Sequence, residues 1–334
     1  MITAMNWNDF LQQYKLDDAA AAAAADCALT ALTSLGLIKV QGEDARDFLQ
    51  GQLTNDIEAV TPEQAQLSAW CNPKGRMLAL MLVFQHGDDL YLQLPRERIE
   101  AVLKRLRMFV MRSKVILEDV SEERPIIALG GSCISGLVEQ LPDTDFGTSQ
   151  TGELAVIRFP GAQPRVQLIG TAEKIAEFWK QASTAATLVN SRWWDLQNIQ
   201  AGIPGINDAT AEAFIPQMVN LDLLRGISFS KGCYTGQEVV ARMKYLGQLK
   251  RRMFLAHFSS EEPPKAGDRL FSIQSKSAQG AGRIVDVQPT PKGDWEALVV
   301  AEISAAESGD LHLEDADGPR LGIQPPPYGL ESPE

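Results

Sequence analysis

Cysteine and histidine are scarce, with four and three in 334 residues. Cys27, Cys71, Cys133 and Cys233 stand far apart with no Cys-x-x-Cys pair. That spacing signals neither a zinc site nor a self-contained cluster site, so no metal is expected. Scattered thiols of this kind fit a reduced set in a cytoplasmic protein. No apolar run approaches the roughly 18 residues of a membrane span, and no membrane partner is expected. The alanine-rich run at residues 19–25 is too short for one and follows Asp17 and Asp18 instead of a basic segment. It reads as a helix or a helix-capping segment and not as a secretory leader. Positive charge is also short. The formal net charge is −12, and binding phosphate needs a basic face, so direct nucleic-acid binding is not expected.

What is present is the composition of a globular protein, 45% hydrophobic and 22% charged, long enough for two or three domains. Residues 35–40 read as a strand and residues 42–50 as a turn into a helix, with Asp44 as N-cap and Gly51 as a stop. Two apolar runs flank the turn Asn72-Pro73-Lys74-Gly75-Arg76 and predict a hairpin. Ile99, Val102, Leu103 and Leu106 recur at helical spacing, and residues 109–117 are expected to return as a strand. Residues 125–131 read as a strand entering a glycine turn and residues 132–141 as a helix, a weak second copy of the unit around Gly42. Beyond Met253, short apolar runs divided by Pro, Gly and Asp suggest a small antiparallel barrel or sandwich. Two basic clusters stand out in an acidic chain: Lys104 to Lys114, and Arg242, Lys244, Lys250, Arg251 and Arg252. The second fits an anionic ligand such as a polyglutamate tail better than RNA, and a solvated edge equally well.

Site chemistry concentrates at Lys231-Gly232-Cys233-Tyr234-Thr235-Gly236-Gln237-Glu238. Two glycines flank a cysteine within one turn of chain, which is loop chemistry. A thiol two residues after Lys231 and near a helix start would feel positive charge and oriented N–H groups. A small apolar role for the cysteine is the plainer alternative. A second informative stretch, residues 190–204, carries Trp193, Trp194 and Gln200 on an expected helix ending at Gly202.

The octapeptide, with Phe214-Ile215-Pro216-Gln217 and Gly226-Ile227-Ser228-Phe229 before it, closely resembles the signature of the YgfZ family of folate-binding proteins. Gly51-Gln52-Leu53-Thr54-Asn55-Asp56 is similar to the same family and to the aminomethyltransferase T-proteins. The resemblance implies an α+β, T-protein-like fold of two interwoven mixed α/β lobes plus a C-terminal antiparallel β-barrel. Residues 1–50 with 125–240 would form the first lobe, residues 51–124 the second, and residues 241–330 the barrel. It implies tetrahydrofolate or a derivative as cofactor, with Trp194, Gln200, Leu35, Tyr234, Gln237 and Glu238 as binding residues. Cys233 and Lys231 would carry the chemistry. Gln200 stands where many relatives have a glutamate, and Leu35 near a position where a family member has a tryptophan. The implied function is support of iron–sulfur cluster assembly or repair, and through it tRNA methylthiolation. Folate and iron–sulfur enzymes or assembly proteins are the implied partners. The alternative is a folate-dependent one-carbon transferase. Leu78-Ala79-Leu80 in the strand after Gly75 lacks the carboxylate that such transfer uses in the T-proteins, so stand-alone aminomethyl transfer is not expected.

Overall fold

A computed structural model describes residues 5–17, 26–245, 247–278 and 280–330. The alanine-rich run and Asp18, one of the two aspartates that could cap it, lie outside them, and Asp17 forms an isolated β-bridge to Val189. The chain divides into two compact units: residues 1–49, 57–66 and 81–194, and residues 50–56, 67–80 and 195–334. The architecture is α+β, with three sheets among the described residues.

In the first unit, a six-stranded sheet runs Thr187–Leu188, Cys27–Ala31, Ile126–Gly131, Arg165–Ile169, Leu154–Phe159 and Thr148–Thr151. All its neighbours are antiparallel except the pair Cys27–Ala31 and Thr187–Leu188. Helix Ala172–Ala182 buries Ile175, Ala176 and Trp179, which join Leu29, Leu129 and Val166 in one core cluster. Apolar residues on one helical stripe supply that face, and burial of such side chains is the main stabilising term.

The same unit holds Asp89–Pro95, Leu35–Gln41 and Ile116–Asp119, antiparallel in that order beside Met77–His86. Residues 35–41, assigned by sequence to the first lobe, therefore hydrogen-bond among strands assigned to the second. Helix Ile99–Val110 buries Ile99, Val102, Leu103 and Leu106, as their spacing predicts. The strand expected at residues 109–117 is displaced, because the helix continues to Val110 and Met111 turns at φ 44°. Only Ile116–Asp119 pairs. The helix expected at residues 132–141 shrinks to Ile134–Leu137, with Gly136 inside it and Val138 already extended. The weak repeat is visible in the backbone: Gly42 and Gly131 end equivalent strands at φ 114° and 105°, each packed onto a backbone carbonyl, of Lys114 and Asp26.

Cysteine usage needs a correction. Cys27 pairs in register with Gly131, which brings Cys133 within reach, and the two cysteines form a disulfide with Cα atoms 5.7 Å apart. Only Cys71 and Cys233 are free thiols. A separation of 106 residues hid the pair from sequence.

In the second unit, His312–Leu313, Arg269–Phe271, Gly282–Pro289, Trp295–Glu302, Arg251–Phe258 and Gly322–Gln324 form an antiparallel sheet. It curls into a half-barrel whose two ends are drawn together by the single bridge His312 to Arg320. Phe254, Ile284, Val299 and Leu313 fill its concave face.

Leu129 is fully buried in the first core. Leu129→Ala is expected to lower unfolding free energy by about 2–5 kcal/mol, measured by urea denaturation, because the cavity adds to the lost transfer energy.

Candidate functional site

In the second unit the cysteine loop is assembled around Lys231. Its Nζ donates to the backbone carbonyls of Gln50, Leu53 and Asn55 at 2.7, 2.8 and 2.8 Å. An ammonium has three protons, and here each meets a carbonyl. Burial pulls its pKa down to about 8, opposed by nearby Asp56. The socket is rigid for its own reasons. Thr54, fully buried, donates from Oγ1 to Gly226 O at 2.8 Å and accepts from Ala69 N–H at 2.9 Å. Asn55 Nδ2 donates to Leu67 O and Arg225 O at 3.0 and 2.7 Å. The Leu-Thr-Asn stretch, which alone would pass for a surface loop, thus staples the strand Gln66–Cys71 to the segment that leads into the cysteine.

The far side of the loop is held by close backbone approach. Gly236 has φ +84°, and a Cβ there would stand 2.5 Å from Asn72 O. Only glycine fits that position without displacing the hairpin turn. Beyond it, helix Gln237–Tyr245 is tied down where Gln217 Nε2 donates to Val240 O at 2.6 Å.

Between these anchors Tyr234 is buried and Cys233 is exposed. Burial, and then the neighbouring Cys71, push the Tyr234 hydroxyl pKa upward, so it stays protonated. Its ring lies under Lys231 Nζ at 5.5 Å. Cys71 is a buried thiol whose pKa desolvation pushes up to about 12. The expectation that Lys231 activates Cys233 meets a geometric fact: the ammonium is spent on carbonyls. Gln237 is half-buried at the helix start, and Glu238 is exposed, its carboxylate turned to Arg242 one turn along.

Gln200, exposed at the end of helix Arg192–Gln200, accepts from Gln197 Nε2 at 3.0 Å and donates to Glu296 Oε2 at 2.9 Å. Sequence reading passed over Asp195 on this helix. Burial raises its pKa to about 7, with Asp286 adding to the shift, and burial raises Asp286 to about 6 against the hydrogen bond from Val287 N–H. Both side chains keep some solvent exposure. The negative charge of Asp286 thus favours the protonated form of Asp195.

In the first unit, Trp194 is 1% exposed. The Arg165 guanidinium lies 4.5 Å from its ring centroid and Phe159 packs edge-on at 5.0 Å. Its Nε1–H has no acceptor among the described residues. Arg165 is itself buried, which pulls its pKa down to about 9 and leaves it cationic at neutral pH. Leu35 borders a recess of about 40 Å³, room for a water and not for a pterin.

Residues 5–175 match the family model described as the GCVT N-terminal domain. The chain is 32% identical over 306 residues to tRNA-modifying protein YgfZ of Yersinia pseudotuberculosis, covering 90% of this chain and 92% of that one. It is 32% identical over 307 residues to the protein of the same name from Pectobacterium carotovorum, with the same coverage. Among solved structures it is similar to glycine cleavage system aminomethyltransferase T from Bartonella henselae, at TM-score 0.66 and 15% identity over 92% of this chain and 87% of that one. That likeness establishes a T-protein-like fold.

Three outcomes are expected. Gly236→Ala should destabilise by about 1–3 kcal/mol through a strained backbone and a clash. Gly232→Ala, where an added Cβ meets nothing within 4 Å, should stay within about 0.5 kcal/mol; urea unfolding of both variants checks the contrast. In peptide mapping after iodoacetamide treatment without reductant, Cys233 should be labelled in the folded protein. Cys71 should be labelled only after unfolding, and Cys27 and Cys133 not at all. The raised Asp195 and Asp286 bind more protons folded than unfolded, so the stability they contribute is full below about pH 4 and fades as pH rises through 6 to 7. Unfolding free energy should fall between pH 5 and 7.5, and Asp286→Asn should remove its own part of that fall and lessen that of Asp195.

Proposed function

The chain belongs to the YgfZ family, and from that premise we propose that it binds a reduced folate and serves tRNA modification by supporting iron–sulfur cluster assembly or repair. The observation that carries the reading is the construction of the cysteine loop. Lys231, Thr54, Asn55 and Gly236 are all committed to holding it, while the Cys233 side chain is exposed. A thiol held this firmly at a surface is suited to meet a partner protein or a cluster in transit.

The residues present fit a folate by the chemistry they leave unspent. The Trp194 Nε1–H lacks an acceptor and the Gln217 Oε1 a donor among the described residues, and both atoms are buried. Trp194, with one contact taken by Arg165, would contribute its N–H more than an open stacking face. Asp195, poised between protonation states, suits the amino and ring N–H donors of a pterin. When bound, tetrahydrofolate supplies a reduced pterin whose N5 can carry one-carbon units. Within the second unit Tyr234 and Gln237 would contact the folate, and Gln200 and Glu238 would act through the side chains they hold; the recess at Leu35 has no room for a pterin. One-carbon transfer is the weaker reading, since Leu78, Ala79 and Leu80 after the hairpin turn are all buried apolar groups. A role in tRNA modification implies a cytoplasmic protein, and there the Cys27–Cys133 bond would be exposed to cellular reductants.

Calorimetric titration with tetrahydrofolate should give saturable binding, weakened about tenfold in Trp194→Phe through loss of one buried hydrogen bond. Absence of any heat of binding in the wild type sinks the folate reading. In cells relying on the variant, Cys233→Ser should lower both iron–sulfur enzyme activity and tRNA methylthiolation at unchanged protein level; full activity of both would remove the thiol from the mechanism.

A further inference from the structure

The second unit contains an open cleft of about 1370 Å³ whose charge opposes that of the chain. Lys74, Arg76, Lys250, Arg251, Lys276 and Arg283 line it. Glu212, Glu302 and Glu307 are the carboxylates in the same lining, which leaves an excess of three positive charges in a protein of net charge −12. Arg251 and Glu302 pair with each other at 3.1 Å. Lys74, Lys250, Lys276 and Arg283 make no ion pair among the described residues. Unpaired cations converging on a concave surface repel one another, and a bound anion relieves that cost.

We propose that this cleft binds the γ-linked glutamyl tail of a folate, an assignment that rests on the folate reading above. Three features select a carboxylate chain. The volume exceeds that of a usual small-ligand pocket, roughly 300–1,000 Å³, yet is far too small for a folded nucleic acid. The lining contains no glycine and so builds no cradle of backbone N–H groups around a phosphate. Phe214, Met218, Leu249, Val300 and Ile303 line the cleft together with the cations, matching a chain whose carboxylates are separated by methylenes.

The cleft also adjoins the cysteine loop. The Asn72 to Arg76 turn lines it and packs on Gly236. Met243 reaches it from the helix that begins at Gln237, and Met218 from the segment whose Gln217 anchors that helix.

The test compares tetrahydropteroyl monoglutamate, its pentaglutamate, free penta-γ-glutamate and tripolyphosphate by calorimetry. Wild type is set against the triple variant Lys250→Glu, Lys276→Glu, Arg283→Glu, with Lys292→Glu as a charge control and urea unfolding as a fold check. In the wild type the pentaglutamate should bind at least about tenfold tighter than the monoglutamate, because the tail's second contact is intramolecular. The triple variant should lose that gain and keep the monoglutamate affinity, and the control should change neither. Free penta-γ-glutamate should bind weakly and weaken further with salt. Equal affinity of the two folates in the wild type overturns the proposal and leaves the folate reading standing. Tripolyphosphate binding tighter than penta-γ-glutamate overturns the carboxylate assignment. If neither folate binds, the folate reading fails separately. The cleft is then judged on the free peptide: binding lost in the triple variant upholds a carboxylate site, and no binding discards it.

Discussion

The Lys231 ammonium, closed into three backbone carbonyls, is the interaction on which the second unit's loop geometry depends. Residues 50–55 and 231 lie about 180 positions apart in the chain, so this contact is a loop closure of high entropic cost. The cost is met by charge-assisted hydrogen bonds from a partly buried ammonium. Burial depresses the lysine pKa, and Asp56 works the other way. A neutral apolar residue would satisfy burial and orphan three acceptors. Arginine would bring a planar fork to acceptors arranged around a point.

Much of this was legible in sequence, unevenly so. Helix Ile99–Val110 could be read from its stripe because its buried residues and its solvent face alternate at one period. The order of mixed lobes followed by a β-rich C-terminal region was also readable, since short apolar runs with turn residues have their own texture. What could not be read was pairing at a distance. Leu35–Gln41 is a strand by composition, yet nothing local says that it joins Asp89–Pro95 and Ile116–Asp119. The Cys27–Cys133 bond follows from the register of two strands a hundred residues apart. The shortened helix at Ile134–Leu137 shows the same limit, because tertiary context ended it before its apolar pattern did.

Charge shows why a linear cluster is a poor map of an electrostatic surface. Of the densest basic stretch, Arg242, Lys244, Lys250, Arg251 and Arg252, the three arginines are answered by carboxylates: Glu238, Glu302 and Asp222. The cations left without such partners in the cleft come from a hairpin turn, the start of one barrel strand, a loop and a second barrel strand. Only Lys250 belongs to the stretch that sequence singled out. Folding neutralised three of its five cations and gathered others from scattered residues.

The two free thiols divide the consequences of that architecture. Cys71 is sealed beside Tyr234, and desolvation keeps it protonated, so it serves as packing for the loop. Cys233 receives the opposite treatment. Lys231, its nearest lysine in sequence, gives its three protons to backbone carbonyls, and the helix starts four residues later, at Gln237. What the loop gives this thiol is position: the backbone contacts of Lys231 and Gly236 hold the segment that leaves the sulfur open to solvent.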